Sequence, residues 1–171
     1  GFMSKEGLLY VKGRFKSLLI SSDGEKYSPE GIEEALVEKS PYIDQVMLYN
    51  NQCTTTTALI VPNRDSLRRY LKEKGMKAES VEGRTAALQL IENELARFKK
   101  GGEFQGMFPE RWLPSSFAVL AEPFTEQNQM INSTMKMVRP KIEKAYKERI
   151  DYIYTSEGKA TLNQQNIDSI F

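Results

Sequence analysis

Leu8 to Val11 and Phe15 to Ile20 are short apolar runs split by Lys12-Gly13-Arg14, which predicts a β-hairpin closed by a glycine turn. Ser21 to Tyr27 reads as a polar loop. Ser28-Pro29 predicts a helix start, because serine is a good N-cap and proline at the first helical position gives up no needed N–H. Ile32, Ala35 and Leu36 fall on one face at helical spacing, Glu30 suits the positive helix end, and Ser40-Pro41 is the stop. Ile43 to Tyr49 and Thr55 to Val61 are β-branched and apolar, so two strands joined by a hairpin turn over Asn50 to Cys53 are expected. Asp65 to Lys74 predicts a short helix with Leu67, Tyr70 and Leu71 inward, stopped by Gly75. Ser80 caps a longer helix to about Lys100, with Ala87, Leu88, Ile91, Leu95 and Phe98 as its stripe.

Past Gly101-Gly102 the pattern loosens. Phe104, Met107, Phe108 and Trp112 fall in a loop, and packing onto the body is the favoured reading of such large apolar side chains. Ser116 to Leu120 is a third strand of the same kind, and Pro123 to Met135 is polar and irregular. Pro140 opens a last strong helix with Ile142, Ala145, Tyr146 and Ile150 inward. After Tyr154 the chain is a polar tail with a capped turn near Thr161 to Gln164. The order of elements gives an α+β domain: a small three-stranded sheet packed with helices, plus the N-terminal hairpin.

Composition narrows the function classes. The 171 residues are 40% hydrophobic, enough for one domain with a core. Lys plus Arg number 24 against 23 Asp plus Glu, so there is no strong field to attract nucleic acid. Histidine is absent, which removes Ser-His and Cys-His nucleophilic sites and imidazole-based zinc sites. The single cysteine, Cys53, reads as a neutral turn residue and allows no internal disulfide, in keeping with a reducing compartment. No stretch reaches the roughly 20 apolar residues of a membrane span, and no signal peptide is visible. The opening Gly1-Phe2-Met3-Ser4 reads as an internal cut, and the sequon Asn132-Ser133-Thr134 as chance. No Walker-type Gly-rich loop, no Gly-x-Gly-x-x-Gly and no metal-ligand spacing occurs.

What remains is a set of short clusters. Asn132-Ser133-Thr134-Met135-Lys136-Met137-Val138-Arg139 precedes the last strong helix. Gly13-Arg14-Phe15-Lys16-Ser17 lies near the start, followed by Ser21-Ser22-Asp23-Gly24-Glu25-Lys26 and Pro29-Glu30-Gly31-Ile32-Glu33. In this order and at this separation they resemble the C-terminal domain of the AMP-forming acyl-CoA synthetases, in the adenylate-forming superfamily that includes the luciferases. The family's last loop has the form Gly-x-Leu/Ile-Thr-x-Thr-x-Lys-x-x-Arg. The chain matches it at Ile131, Thr134, Lys136 and Arg139, and departs at Gln129, where glycine is common, and at Asn132, where threonine is common. Trp112 to Leu120, Pro123-Phe124-Thr125 and Ala58 to Pro62 are similar to the long-chain fatty acid branch. The likeness runs from about Leu8 to Tyr154.

The resemblance implies a mobile lid domain over residues 1–154, with residues 1–20 as the hinge hairpin and 155–171 as a tail, working against a large N-terminal adenylation domain that this sequence lacks. It implies that Lys136 is the catalytic, ATP-contacting cation of acyl-adenylate formation, that Arg14 lies near the nucleotide, and that Lys16 is the hinge. It further implies that Ser22, Asp23, Gly24, Glu25 and Lys26 form the loop that meets CoA, with Lys26 standing where asparagine is common. Gly24 suits that task because a missing Cβ lets backbone approach a thin thioester arm. ATP, CoA and a fatty acid are the implied ligands, with Mg2+ held by the large domain and no metal site here. The implied location is the cytoplasm, with peripheral membrane contact of the longer protein left open. Other readings stay open: a peptide-synthetase or aryl-ligase domain, a non-catalytic module that docks through the Phe104–Trp112 loop, or a regulatory small-molecule domain.

Overall fold

The computed structural model describes residues 18–171. The expected N-terminal hairpin falls mostly outside them. Its last residues enter β1 (Leu19–Ser21), which pairs antiparallel with β2 (Lys26–Tyr27) and parallel with β4 (Asn51–Cys53). Two expected connections are therefore strand. The Ser21–Tyr27 loop is a tight turn that ends in buried Tyr27, and the Asn50–Cys53 link forms the third strand of this small sheet.

The main sheet has the order β3 (Ile43–Tyr49), β5 (Thr56–Pro62), β6 (Pro114–Val119). β3 and β5 are antiparallel and β5 and β6 parallel, so β5 lies at the centre with every residue buried. A central strand covered on both faces needs apolar side chains on both, which is why Ala58 to Val61 is a continuous apolar run. Alternation then divides the core in two. Val46, Leu48, Ala58, Ile60, Phe117 and Val119 meet one set of helices through Ile32, Leu36, Leu67, Leu71, Leu88 and Ile91. Met47, Leu59, Val61, Ala118 and Leu120 meet Phe124, Ile131, Ile142, Ile150 and Ile153 on the other face.

The first face is covered by α1 (Glu30–Glu38), α2 (Arg64–Glu73) and α3 (Val81–Ala96). Helix α1 begins one residue later than Ser28 would set it. Pro29 is its cap, with no side-chain cap bond, and the Pro29 carbonyl accepts from the Glu33 N–H at 2.9 Å. The Ser80 hydroxyl caps α3 as expected, accepting from the Gly83 N–H at 2.9 Å. The second face carries α4 (Arg139–Ala145) and α5 (Lys147–Ile153). These replace the single helix expected after Pro140. The chain breaks step at Tyr146, whose φ and ψ of −113° and 24° are not helical, and Ala145 is left exposed.

Residues 155–171, set apart above as a tail, are folded onto the body. Asn163 caps α6 (Gln164–Ser169), and Ile170 is fully buried. Asn166, also fully buried, donates to the Phe117 carbonyl at 3.1 Å and accepts from the Val119 N–H at 2.9 Å. Its carboxamide thus satisfies backbone groups on the outer edge of β6, an edge that otherwise invites pairing with another chain. The α+β class stands, with six α-helices and two three-stranded sheets among the described residues.

Candidate functional site

Lys136 sits at the tip of a small hairpin on the second face. Ile131 and Met137 bridge its base in antiparallel fashion, and both pack on the core cluster of that face. The Val138 N–H donates to the Met130 carbonyl at 2.8 Å and closes the stem. The apolar residues at 131 and 137 therefore bury the base while residues 132–136 project into solvent. Met135 is 71% exposed beside Lys136.

Asn132 organises the tip. Its N–H donates to the Lys136 carbonyl at 2.9 Å. Its Oδ1 accepts from the Thr134 N–H at 3.0 Å, the Thr134 hydroxyl at 2.7 Å and the Lys136 N–H at 3.0 Å. A planar carboxamide oxygen that accepts from several donors closes such a turn. Met135 has φ of 65°, a left-handed conformation that costs a non-glycine residue about 1–3 kcal/mol. Gln129, where the resembled motif has glycine, has φ of 66°, so the departure keeps the backbone conformation that glycine favours. Among the described residues no hydrogen bond or ion pair holds the Lys136 ammonium.

Arg139 ties the hairpin to the other face. Its Nη1 donates to Glu33 Oε2 at 2.9 Å, and Nη2 bonds Glu33 Oε1. Glu33 Oε2 also accepts from the Leu48 N–H at 2.7 Å, so this buried carboxylate links α1, β3 and the start of α4. Burial pushes the Glu33 carboxyl up from its ordinary value, and the Arg139 guanidinium opposes that shift. An open groove of about 850 Å³ runs between α1 and the hairpin, with Glu30, Glu34, Asp44, Val46, Met135 and Lys136 on its walls.

The Ser22 to Lys26 loop lies at the end of β1. The Ser22 N–H donates to the Cys53 carbonyl at 3.0 Å and the Gly24 N–H to the Ser21 carbonyl at 3.0 Å. Asp23 accepts from the Ser21 hydroxyl and from the Glu25 N–H, and those bonds hold its carboxyl below the ordinary range. Gly24 has φ of 89°, and a Cβ there would meet nothing within 4 Å. Its glycine is therefore required by the turn, while the space above it is open; crowding by the protein's own atoms is not the reason. Lys26 is exposed in β2. Arg14 and Lys16 lie outside the described residues.

The aromatic loop packs down. Phe104, Phe108 and Trp112 rest on the first core cluster, and Met107 alone of the four is exposed, at 45%. That arrangement counts against docking through the loop. Two contacts join it to the Gly24 loop and were not foreseen from sequence. Trp112 stacks on Tyr27 with ring centroids 5.1 Å apart and planes 7° from parallel. Arg111 grips Glu25 through two bonds of 2.7 Å and, through them, holds the Glu25 carboxyl below its ordinary range.

Among the described residues no group of three or more His, Cys, Asp or Glu is placed to hold a metal ion, and no helix is long and apolar enough to cross a membrane.

Comparison with known proteins agrees with the motifs. No protein-family model matches the chain. It is 29% identical over 156 residues to a putative fatty-acid–CoA ligase, fadD11, of Mycobacterium tuberculosis, covering 91% of this chain and 26% of that protein. It is 25% identical over 189 residues to a long-chain-fatty-acid–CoA ligase, ACSBG2, of Gallus gallus, covering 99% of this chain and 24% of that one. With the chloroplastic long-chain-fatty-acid–[acyl-carrier-protein] ligase AEE15 of Arabidopsis thaliana it shares 27% over 149 residues, covering 87% of this chain and 18% of that one. Among solved structures, the adenylation domain of a carboxylate reductase from Mycobacterium chelonae aligns with a TM-score of 0.63 and 28% identity, over 81% of this chain and 19% of that one. The AMP complex of a reductase adenylation–carrier didomain from Segniliparus rugosus aligns at 0.57 and 27%, over 81% of this chain and 17% of that one. The chain spans about a quarter or less of these curated relatives. The resemblance to AMP-forming acyl ligases of the adenylate-forming superfamily therefore holds in both sequence and fold.

Proposed function

We propose that this chain, a relative of the long-chain fatty acid ligases, is the mobile C-terminal domain of an ATP-dependent acid–thiol ligase. The observation that carries the proposal is the placement of Lys136: an ammonium on an exposed, hydrogen-bonded tip whose base is anchored in the core and by Arg139 to Glu33. A carboxylate oxygen attacks the α-phosphorus of ATP, an oxygen–phosphorus bond forms, the bond to the bridging oxygen breaks, and pyrophosphate leaves. Two anions must meet in that step. A pre-positioned ammonium offsets their repulsion and the charge that builds in the transition state, and removing one such group costs about 10²–10³ in rate.

The thiol of CoA then attacks the acyl carbon, gives up its proton, and expels AMP. In the proposed cycle the domain turns about Lys16, with Arg14 near the nucleotide, and brings the Ser22–Lys26 loop to the thiol in place of Lys136. The open space over Gly24 supports that role. The ATP loop, acyl tunnel and metal-binding carboxylate belong to the large domain, so this chain alone is proposed to be inactive. Its proposed location is the cytoplasm.

The test is calorimetric titration of this chain with ATP, CoA and a long-chain fatty acid, set beside ATP–pyrophosphate exchange by the full-length protein. The proposal expects weak or no binding by the isolated chain, and exchange that depends on Lys136. Tight binding of any of the ligands by the chain alone would support the regulatory-domain reading instead.

A further inference from the structure

The Ser22–Lys26 loop is held from both flanks. It leaves β1 at Ser21 and returns in β2 at Lys26, and the body holds one flank through the Ser22 bond to the Cys53 carbonyl. On the other flank the holding group comes from 86 residues away, where Arg111 sits in a single 3-10 turn, Glu110–Trp112, at the end of the aromatic loop. The next residue, Trp112, stacks on Tyr27 just past the loop, and the Tyr27 hydroxyl bonds Thr56 and Asn50. The Asn50 carboxamide in turn accepts from the Cys53 N–H at 2.7 Å, which closes a ring of contacts around the loop.

We propose that Arg111 is a positioning residue for the thiol-transfer step, bracing the Gly24 loop through its paired bonds to Glu25. The proposal rests on the reading of that loop given above. A guanidinium fork on a carboxylate fixes direction as well as distance, which a single ammonium does not. Arg111 is largely exposed and Glu25 about a quarter exposed, so the pair adds little to global stability. Its effect is local: with both oxygens of Glu25 held, the left-handed turn at Gly24 keeps one orientation before the thiol arrives. Arg111 touches neither the nucleotide cation Lys136 nor the groove beside it.

The experiment measures two rates in the full-length protein: formation of acyl-adenylate, and thioester formation from supplied acyl-adenylate and CoA. Arg111→Ala is expected to slow the thiol step about 5-fold, the upper range of an exposed ion pair, and to leave adenylation unchanged. Arg111→Lys, which keeps the charge without the fork, is expected to recover only part of the loss. Hydrogen exchange at the Gly24 and Glu25 amides should rise in Arg111→Ala with no change at the core strands. Gly24→Val is run alongside. If Gly24→Val blocks the thiol step while Arg111→Ala changes neither rate, the brace is wrong and the loop reading stands. An equal fall of both rates in Arg111→Ala also overturns it. If Gly24→Val leaves the thiol step intact, the loop reading fails and takes the brace with it.

Discussion

Arg139 holds Glu33 across 106 residues of chain, with both guanidinium branches on one buried carboxylate. The pair joins the end of the Lys136 hairpin to helix α1. Removing one member of a buried pair leaves an uncompensated charge, which costs about 3–5 kcal/mol. Arg139→Met is therefore expected to lower the unfolding free energy by about that amount. Adding Glu33→Gln removes the stranded charge and keeps an acceptor for the Leu48 N–H, so the double variant should regain much of the loss. Denaturant unfolding of wild type, both single variants and the double variant checks this. Additive losses would mean the two residues are not energetically coupled.

Asn132→Ala removes the acceptor for three donors at the hairpin tip. The fold should survive, because the tip is exposed and the base is anchored at Ile131 and Met137. Adenylation by the full-length protein should fall about 10-fold through lost orientation, a 1 Å displacement being able to cost up to 10². Asn132→Thr, the common residue of the resembled motif, should retain more activity than alanine. Equal losses in the two variants would argue against the turn-closing role.

Gly24→Val places a branched side chain at φ of 89°. Left-handed backbone costs a β-branched residue about 1–3 kcal/mol, so the turn is expected to change conformation. Thioester formation should drop by at least 10-fold, with adenylation spared, in separate assays of the two steps. A variant with a normal thiol step would show that this turn is not used there.

Asn166→Ala strips the Phe117 carbonyl and the Val119 N–H of buried partners. Each unsatisfied group costs about 1–3 kcal/mol, so a loss of about 3 kcal/mol in unfolding free energy is expected. A change within 0.5 kcal/mol would mean that α6 is dispensable to the body. Chemical denaturation of this chain gives the answer directly.

The elements that sequence anticipated well are those with a strong period. The apolar stripe of α3, the continuous run in β5 and the capping of α3 by Ser80 all depend on neighbours within a few residues, and all were legible. The Lys136 hairpin has no such period; its motif entered through resemblance to a family, and the bridge between Ile131 and Met137 that sets it on an exposed tip appears only in the fold. What stayed hidden are polar pairs made between distant segments: Arg139 with Glu33, Arg111 with Glu25, Asn166 with β6. Such pairs leave no periodic trace, because each partner reads as an ordinary surface residue until the fold brings them together. The step at Tyr146 was hidden for a related reason. The helical spacing of Ile142, Tyr146 and Ile150 survives the break, so periodicity could not report it. Ser28 shows the converse error: the local cap signal is present, yet Pro29 is the capping residue and no side chain caps the helix.

The most direct measurement is single-turnover kinetics of both half-reactions in the full-length protein with Lys136→Ala. Acyl-adenylate formation from fatty acid and ATP should fall about 10²–10³-fold. Thioester formation from supplied acyl-adenylate and CoA should stay within a few-fold of wild type. An equal fall in both, or normal adenylation without the Lys136 ammonium, would contradict the account.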